Sequence, residues 1–374
     1  MKKILIVSCE GLGKGGIQDV IMKIVRFANP EQYQFDIILF TNERRYYDDE
    51  FESYGKIFRI PPISKSKVIN HFEYYIQGYR YYKKLKKIIA CNGPYDVIHC
   101  HNYFMSSYCL KAARDSGIEI RIAHSHNPKQ IGSREYVLRN LFDIKMKKKI
   151  QEYATCCVAC STKAAEYMFD KPETAVIIPN SIDVKVLKCE TDRYRTFDKE
   201  EVKLLCVGRL STQKNQKMCV EILYLLRKNG INAFLTIMGN VTGEDGKAEL
   251  ERCNKLIKKN SMEKYVKYKD GCGDVIKEMR ENDIFLMPSV YEGFGIVLLE
   301  AQSMGMYCIA SEAVPKEASA GMVVFCELVQ EKWCKKILEY YNSKNHERVF
   351  PNLSFYSLEN IIPKYLDIYQ GGNK

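Results

Sequence analysis

Ser289-Val290-Tyr291-Glu292-Gly293-Phe294-Gly295-Ile296-Val297-Leu298-Leu299-Glu300-Ala301 is the stretch whose reading decides the fold. It follows the apolar run Asp283–Met287, a strand candidate, and leads into an apolar helix beginning at Ile296. Gly293 and Gly295 allow a tight loop whose backbone N–H groups point at a ligand. Glu300 falls about one turn inside the helix. A carboxylate among apolar neighbours is costly to bury unless something hydrogen-bonds it. A salt bridge would account for Glu300 alone, but for neither the glycines nor Glu292. A strand, a glycine loop and a helix in that order make a unit of a parallel sheet, with its ligand-facing loop at the strand's carboxyl end.

Working outward, the same unit recurs. In the second half, Val202–Val207 leads into Gly208-Arg209 and a helix over about Asn215–Asn229. Ala233–Met238 ends at Gly239, Val266–Tyr268 is a short candidate strand, and Tyr307–Ala310 completes the series. The first half alternates strands at Lys3–Ser8, Phe35–Phe40, Ile57–Ile60, Asp96–His101, Ile120–Ser125 and Thr155–Ser161 with helices that include Ile17–Phe27 and Tyr74–Ala90. Short apolar strands between helices predict parallel sheets covered on both faces. A polar connector near residues 183–202 separates the two series. At 374 residues the chain is long enough for two cores.

Two loops add chemistry. Gly208-Arg209-Leu210-Ser211-Thr212-Gln213-Lys214-Asn215 places two cations at a strand-to-helix turn, a suitable seat for a diphosphate. Such cations would also neutralise charge on a departing phosphate. Gly11-Leu12-Gly13-Lys14-Gly15-Gly16 matches Gly-x-Gly-x-x-Gly between a strand and a helix. The dinucleotide reading also wants an acidic residue closing the second strand, but that strand ends at Phe40-Thr41-Asn42. A phosphate- or substrate-facing loop remains; specific NAD binding does not.

Composition narrows the class. Apolar content of 46% and charged content of 28% are those of a soluble globular chain. The apolar run after Met1-Lys2-Lys3 is too short for a signal peptide, and no run approaches a membrane span. The fifteen cysteines are scattered and many sit in apolar stretches, which suits buried thiols in a reducing compartment. Cys156, Cys157 and Cys160 lack a second pair at zinc-site spacing and read as packing. The net charge of +11 is uneven: residues 51–150 hold 19 basic and 7 acidic side chains. Lys83, Lys84, Lys86 and Lys87 share a helix with Tyr74, Tyr75, Tyr79, Tyr81 and Tyr82, and Lys145 to Lys149 adds four more lysines. That surface suits an anionic bilayer, or is a solvated basic face. No recognition motif accompanies the charge, so nucleic acid is not expected.

In this order along nearly the whole chain, the motifs resemble the retaining glycosyltransferases of family 4, including those of capsular and exopolysaccharide biosynthesis. Glu292 and Glu300 have the family's seven intervening residues, Gly208-Arg209 with Lys214 resembles its diphosphate-binding pair, and Gly15-Gly16-Ile17 resembles its opening turn. Pro179-Asn180-Ser181-Ile182-Asp183 resembles the segment closing its first domain, with Ser181 replacing the usual glycine. The resemblance implies an α/β GT-B fold of two Rossmann-like domains facing across a cleft. Residues 1–185 would form the acceptor-side domain, 186–355 the nucleotide-sugar domain, and 356–374 a helix packing back on the first.

It further implies a donor set of Gly16, Arg209, Lys214, Gly239, Glu292, Gly293, Phe294, Gly295, Ile296 and Glu300. Glu300 would hold the ribose, Arg209 and Lys214 the diphosphate, and Glu292 the donor sugar. His126, Glu292, Arg209 and Lys214 would form the catalytic set, and Gly15, His101, His124 and Asn180 the acceptor side. Either His124 or His126 could be the active-site histidine; His126 lies further past its strand end. His99 reads as structural. No carboxylate–histidine cluster suggests a metal, and no cofactor is implied beyond the nucleotide-diphosphate sugar as co-substrate, a UDP-sugar being favoured over GDP. The acceptor would be a glycan or lipid-linked glycan, and the location cytoplasmic, on the inner face of the membrane. Two alternatives stay open: an NAD-dependent oxidoreductase using Gly11–Gly16, and a catalytically silent GT-B binding subunit.

Overall fold

A computed structural model of the chain describes residues 1–8, 11–62, 71–128, 137–184, 200–271, 273–343 and 348–372. The described residues divide into two compact units, Met1–Ser181 with Leu358–Lys374, and Ile182–Ser357. Most of the connector expected near residues 183–202 lies outside the described residues.

The first unit runs β1 (Lys2–Ser8), α1 (Gly16–Phe27), β2 (Tyr33–Leu39), α2 (Asp48–Phe51), β3 (Ile57–Arg59), α3 (His71–Asn92) and β4 (Val97–His101). It continues with α4 (Ser106–Arg114), β5 (Ile120–Ser125), α5 (Val137–Tyr153), β6 (Cys156–Ala159), α6 (Thr162–Met168) and β7 (Val176–Ile177). The second runs β8 (Val202–Val207), α7 (Gln216–Lys228), β9 (Ala233–Met238), α8 (Gly243–Lys259), β10 (Val266–Lys269), α9 (Val275–Glu281), β11 (Ile284–Met287), α10 (Ile296–Ser303), β12 (Tyr307–Ser311), β13 (Val323–Cys326) and α11 (Gln330–Tyr341). The helix α12 (Leu358–Gln370) belongs to the first unit.

Both sheets are parallel, with strand orders β3-β2-β1-β4-β5-β6-β7 and β10-β9-β8-β11-β12-β13. Each order reverses once, between β1 and β4 and between β8 and β11. At such a switch point the connections leave on opposite faces, so a crevice opens at the strands' carboxyl ends. The loops after β1 and β4, and after β8 and β11, therefore occupy the ligand-binding positions of their units.

Register decides what lines the first of these positions. Ile4, Ile6 and Ser8 of β1 align with Val97, His99 and His101 of β4, while Val97 and His99 align with Ile120 and Ile122 of β5. Side chains two apart share a face, so one sheet face is apolar at its amino end and turns polar at its carboxyl end. Val20, Ile21, Ile24 and Val25 of α1 and Ile361, Ile362, Tyr365, Ile368 and Tyr369 of α12 join that face in one core. The second unit has its own core, built from β8, β9, β11 and β12, α7, α8 and α11, with Trp333 fully buried.

All twelve described cysteines are free thiols, and all but Cys91 are buried. Burial pushes Cys156 up to about 11 and Cys157 up to about 12, as for apolar packing residues. Among the described residues no helix is long and apolar enough to cross a membrane.

Candidate functional site

In the second unit, two loops are laced together at the carboxyl ends of β8 and β11. Val290 N–H donates to Gln213 O at 2.8 Å, Gln213 Nε2 to Tyr291 O at 3.1 Å, and Asn215 Nδ2 to Pro288 O at 3.2 Å. Fully buried Gln216 braces the first loop from below, its Nε2 donating to Gly208 O at 3.2 Å and Arg209 O at 3.1 Å. Asn215 adopts a left-handed φ of 54° before α7, a conformation that asparagine tolerates.

This lacing sets Lys214 Nζ 2.7 Å from Glu292 Oε1, with side-chain exposures of 21% and 8%. The contact is an ion pair lying off the line of a hydrogen bond. Arg209 on the same loop is exposed. Burial raises the Tyr291 hydroxyl above its ordinary value, and Arg209 acts in the opposite sense. Gly295 precedes α10 with φ 99°, Phe294 is buried, and Glu300 and Ile296 are half-buried. Gly239 lies against the same loop: a Cβ there would come within 2.0 Å of Gly208 O. Thus an exposed cation, a cation–carboxylate pair and the free N–H groups of a helix start share one loop cluster. Anions and hydroxyl-rich ligands are what such a cluster binds.

In the first unit, Gly15 and Gly16 open α1. A Cβ at Gly16 would meet nothing within 4 Å, so the fold itself does not require glycine there. Lys23 Nζ pairs with Asp19 at 2.6 Å and donates to Ser181 O at 2.7 Å, fixing the segment around buried Asn180. Asn180 Oδ1 is buried without a hydrogen-bond partner.

The sheet also gathers His99, His101, His124 and His126. They form two edge-to-edge pairs: His99 Nε2 with His124 Nδ1 at 3.2 Å, and His101 Nδ1 with His126 Nε2 at 2.7 Å. The pairs lie one above the other, with centroids 4.2 Å apart for His99–His101 and 3.9 Å for His124–His126. His126 is 7% exposed and the others 0–1%. Desolvation dominates their titration: His99 and His126 are pushed down to about 3, and His101 and His124 well below the ordinary histidine range. All four are neutral imidazoles at physiological pH.

Sequence reasoning missed the other half of this cluster. Tyr369 of α12 hydrogen-bonds His99 Nδ1 at 2.8 Å, and the Tyr365 ring lies 5.5 Å from that of His124. Tyr369 and His99 are 270 positions apart, and the spacing of the histidines gives no sign of a distant tyrosine. Asn102, buried beside His101 with both side-chain polar atoms unpartnered, was likewise passed over.

The chain is similar to known proteins along most of its length. Residues 190–348 match the model for glycosyl transferases group 1, and residues 14–186 that for glycosyltransferase family 4. EpsF of Bacillus subtilis, described as a glycosyltransferase, is 27% identical over 86% of this chain and 82% of its own. The capsular polysaccharide biosynthesis glycosyltransferase CapH of Staphylococcus aureus is 24% identical over 90% of each chain. Among solved structures, HepE of Anabaena in complex with UDP and glucose superposes with a TM-score of 0.74 at 14% identity, covering 99% of this chain and 100% of its own.

Proposed function

The chain belongs to the group 1, family 4 glycosyltransferases of GT-B fold, and from that premise we propose that it transfers a sugar, with retained anomeric configuration, from a nucleotide-diphosphate donor to a glycan acceptor. The observation that carries the proposal is the Lys214–Glu292 pair, set at the switch point of the second unit beside exposed Arg209. In this reading Arg209 and Lys214 bind the diphosphate, Glu300 the ribose, and Glu292 with the N–H groups near Phe294 and Gly295 the donor sugar. The bond from the anomeric carbon to the diphosphate oxygen breaks as the acceptor oxygen bonds to the same face. The acceptor's proton passes to the leaving diphosphate, and the two cations stabilise the charge that develops there. His126 and Gly16 would serve the reacting centre, and Gly15, His101, His124 and Asn180 the acceptor side. A UDP-sugar is the favoured donor, a reading supported by the UDP and glucose held by HepE.

Arg209→Ala is the decisive variant, because an exposed arginine is removed without cost to the core. Its turnover should fall on the order of 100-fold or more, with an unchanged melting temperature and a reduced thermal shift by UDP. Near-normal turnover would sink the assignment. A shift by NAD in place of UDP would return the Gly11–Gly16 loop to an oxidoreductase.

The acceptor is proposed to be lipid-linked, in cell-surface polysaccharide assembly, with the first unit resting on an anionic bilayer. Lys83 sits 4.7 Å over the 55%-exposed Tyr79 ring, and Lys86 5.8 Å over Tyr82. Lys145 lies 5.8 Å over Tyr75. Cations stacked on aromatic rings are suited to the headgroup region. Sedimentation with phosphatidylserine vesicles should be lost when Lys83, Lys84 and Lys87 become Glu; no binding by the unaltered protein would end this part of the reading.

A further inference from the structure

Arg209 and Lys214 stand at the two ends of one short loop, and Thr212 lies between them. Thr212 is exposed, yet its N–H and its hydroxyl are both engaged by α8. The N–H donates to Asp245 Oδ2 at 3.1 Å and Oδ1 at 3.3 Å. The hydroxyl donates to Asp245 Oδ1 at 2.6 Å and accepts from Arg252 Nη2 at 2.8 Å. We propose that Asp245, Arg252 and Glu249 of α8 are positioning residues for sugar transfer. They act through Thr212 to hold Arg209 and Lys214 at the spacing a nucleotide diphosphate requires. The inference rests on the donor assignment above.

The clamp is anchored in the interior. Arg252 Nε and Nη2 donate to Glu249 Oε2 at 2.9 and 2.6 Å, and Glu249 is only 2% exposed. Its other oxygen accepts the N–H of Lys217, in the first turn of α7, at 2.8 Å. A buried carboxylate is tolerated only with such partners. The chain of bonds therefore grips the loop on both sides of Lys214, at Thr212 before it and Lys217 after it.

Backbone contact adds to this hold. Gly246, buried in the first turn of α8, packs so closely that a Cβ there would lie 3.1 Å from Leu210 O and 3.5 Å from Val241 C. Leu210 is the residue directly after Arg209, and its N–H donates to Asn240 O at 3.0 Å. Asp245 also stands near the ligand-facing groups. After burial it is the main influence raising the Tyr291 hydroxyl, which Arg209 lowers.

Charge alone argues the other way. Asp245 and Glu249 are anions beside an anion-binding loop, and their repulsion would weaken the hold on a diphosphate. Taken singly, exposed ion pairs are also worth little. Geometry outweighs both, because misplacing a group by about 1 Å costs on the order of 100-fold in rate. Asp245, Thr212, Arg252 and Glu249 moreover share partners in one network and do not act as separate pairs. The two effects have opposite signs, so an experiment separates them.

Asp245→Ala removes the charge and the clamp together. Asp245→Asn removes the charge but keeps an oxygen to accept from Thr212. UDP affinity is measured calorimetrically on the full chain, with the melting temperature alongside. Asp245→Ala should weaken UDP binding on the order of 10- to 100-fold, and Asp245→Asn should restore it close to that of the unaltered protein. Thr212→Val keeps the side chain's shape and removes only its hydroxyl, so it should weaken binding too. Combined with Asp245→Ala it should lose no more than Asp245→Ala alone. Tighter UDP binding by both Asp245 variants would show that the carboxylate acts through its charge, and would overturn the proposal. A lowered melting temperature with unchanged UDP affinity would do the same, marking a purely structural contact. No UDP binding by the unaltered protein would sink the donor assignment and this inference with it, whereas equal binding by every variant ends the inference alone.

Discussion

Lys214 and Glu292 depend on each other in a way that a denaturation experiment detects. Glu292 is buried, and its charge is tolerable only while Lys214 lies against it. Removing one partner of a fully buried pair costs about 3–5 kcal/mol. Lys214 keeps 21% of its side chain in water, so Lys214→Met should cost less, on the order of 1–3 kcal/mol after solvent screening. Lys214→Met combined with Glu292→Leu removes both charges and should recover most of that loss in urea melts. Additive losses would show that the two side chains are not coupled. The two residues were legible in the sequence as separate signals, a cation on one turn and a carboxylate on another. Their pairing was not, because it depends on the lacing of the loops through Gln213, Asn215 and Val290. His101 and His124 were legible as acceptor-side candidates; their burial, and the hydrogen bonds of His101 to His126 and of His124 to His99, come from the register of β4 against β5.

Among the elements, strands were read best. Ile120–Ser125, Val202–Val207 and Ala233–Met238 agree with their sequence limits, since β-branched and other apolar runs ended by polar residues or glycine leave little choice. β7 and β13 were passed over: β7 has two residues, and β13 is mostly half-buried, so neither gives a strong apolar run. Gly239 shows how an element's end is tied to the site. It follows β9, and a methyl group there would overlap a backbone oxygen, which cannot turn aside as a side chain would. Gly239→Ala should therefore displace Gly208 and Arg209, costing about 1–3 kcal/mol and weakening UDP binding at least tenfold. An unchanged UDP affinity, measured calorimetrically, would show that the Gly208–Arg209 loop does not carry the diphosphate.

For the whole molecule, α12 is the element whose sequence position says least about its structural role. It follows the whole second unit, yet five of its side chains are buried in the first unit's core. Fully burying such side chains is worth about 1.5–3 kcal/mol each, and a domain's net stability is only about 5–15 kcal/mol. Loss of α12 therefore removes an amount comparable to everything that keeps the first unit folded. It also strips Tyr369 from His99 and opens the buried histidine stack to water, where neutral imidazoles lose their protection. The second unit has its own core, which includes fully buried Trp333 and, among the described residues, no side chain of α12. A chain ending at Ser357 should accordingly show split behaviour in hydrogen exchange resolved by peptide. Amides of β1, β4 and β5 should lose protection, while those of β8 and β11 exchange as in the full chain. UDP should still slow exchange at residues 208–215 and 288–295, because Arg209, Lys214 and Glu300, proposed to hold its diphosphate and ribose, all belong to the second unit. Retained protection in β1 and β4 would show that α12 merely covers a sheet already stable without it. Loss of protection throughout would show that the two cores fold as one.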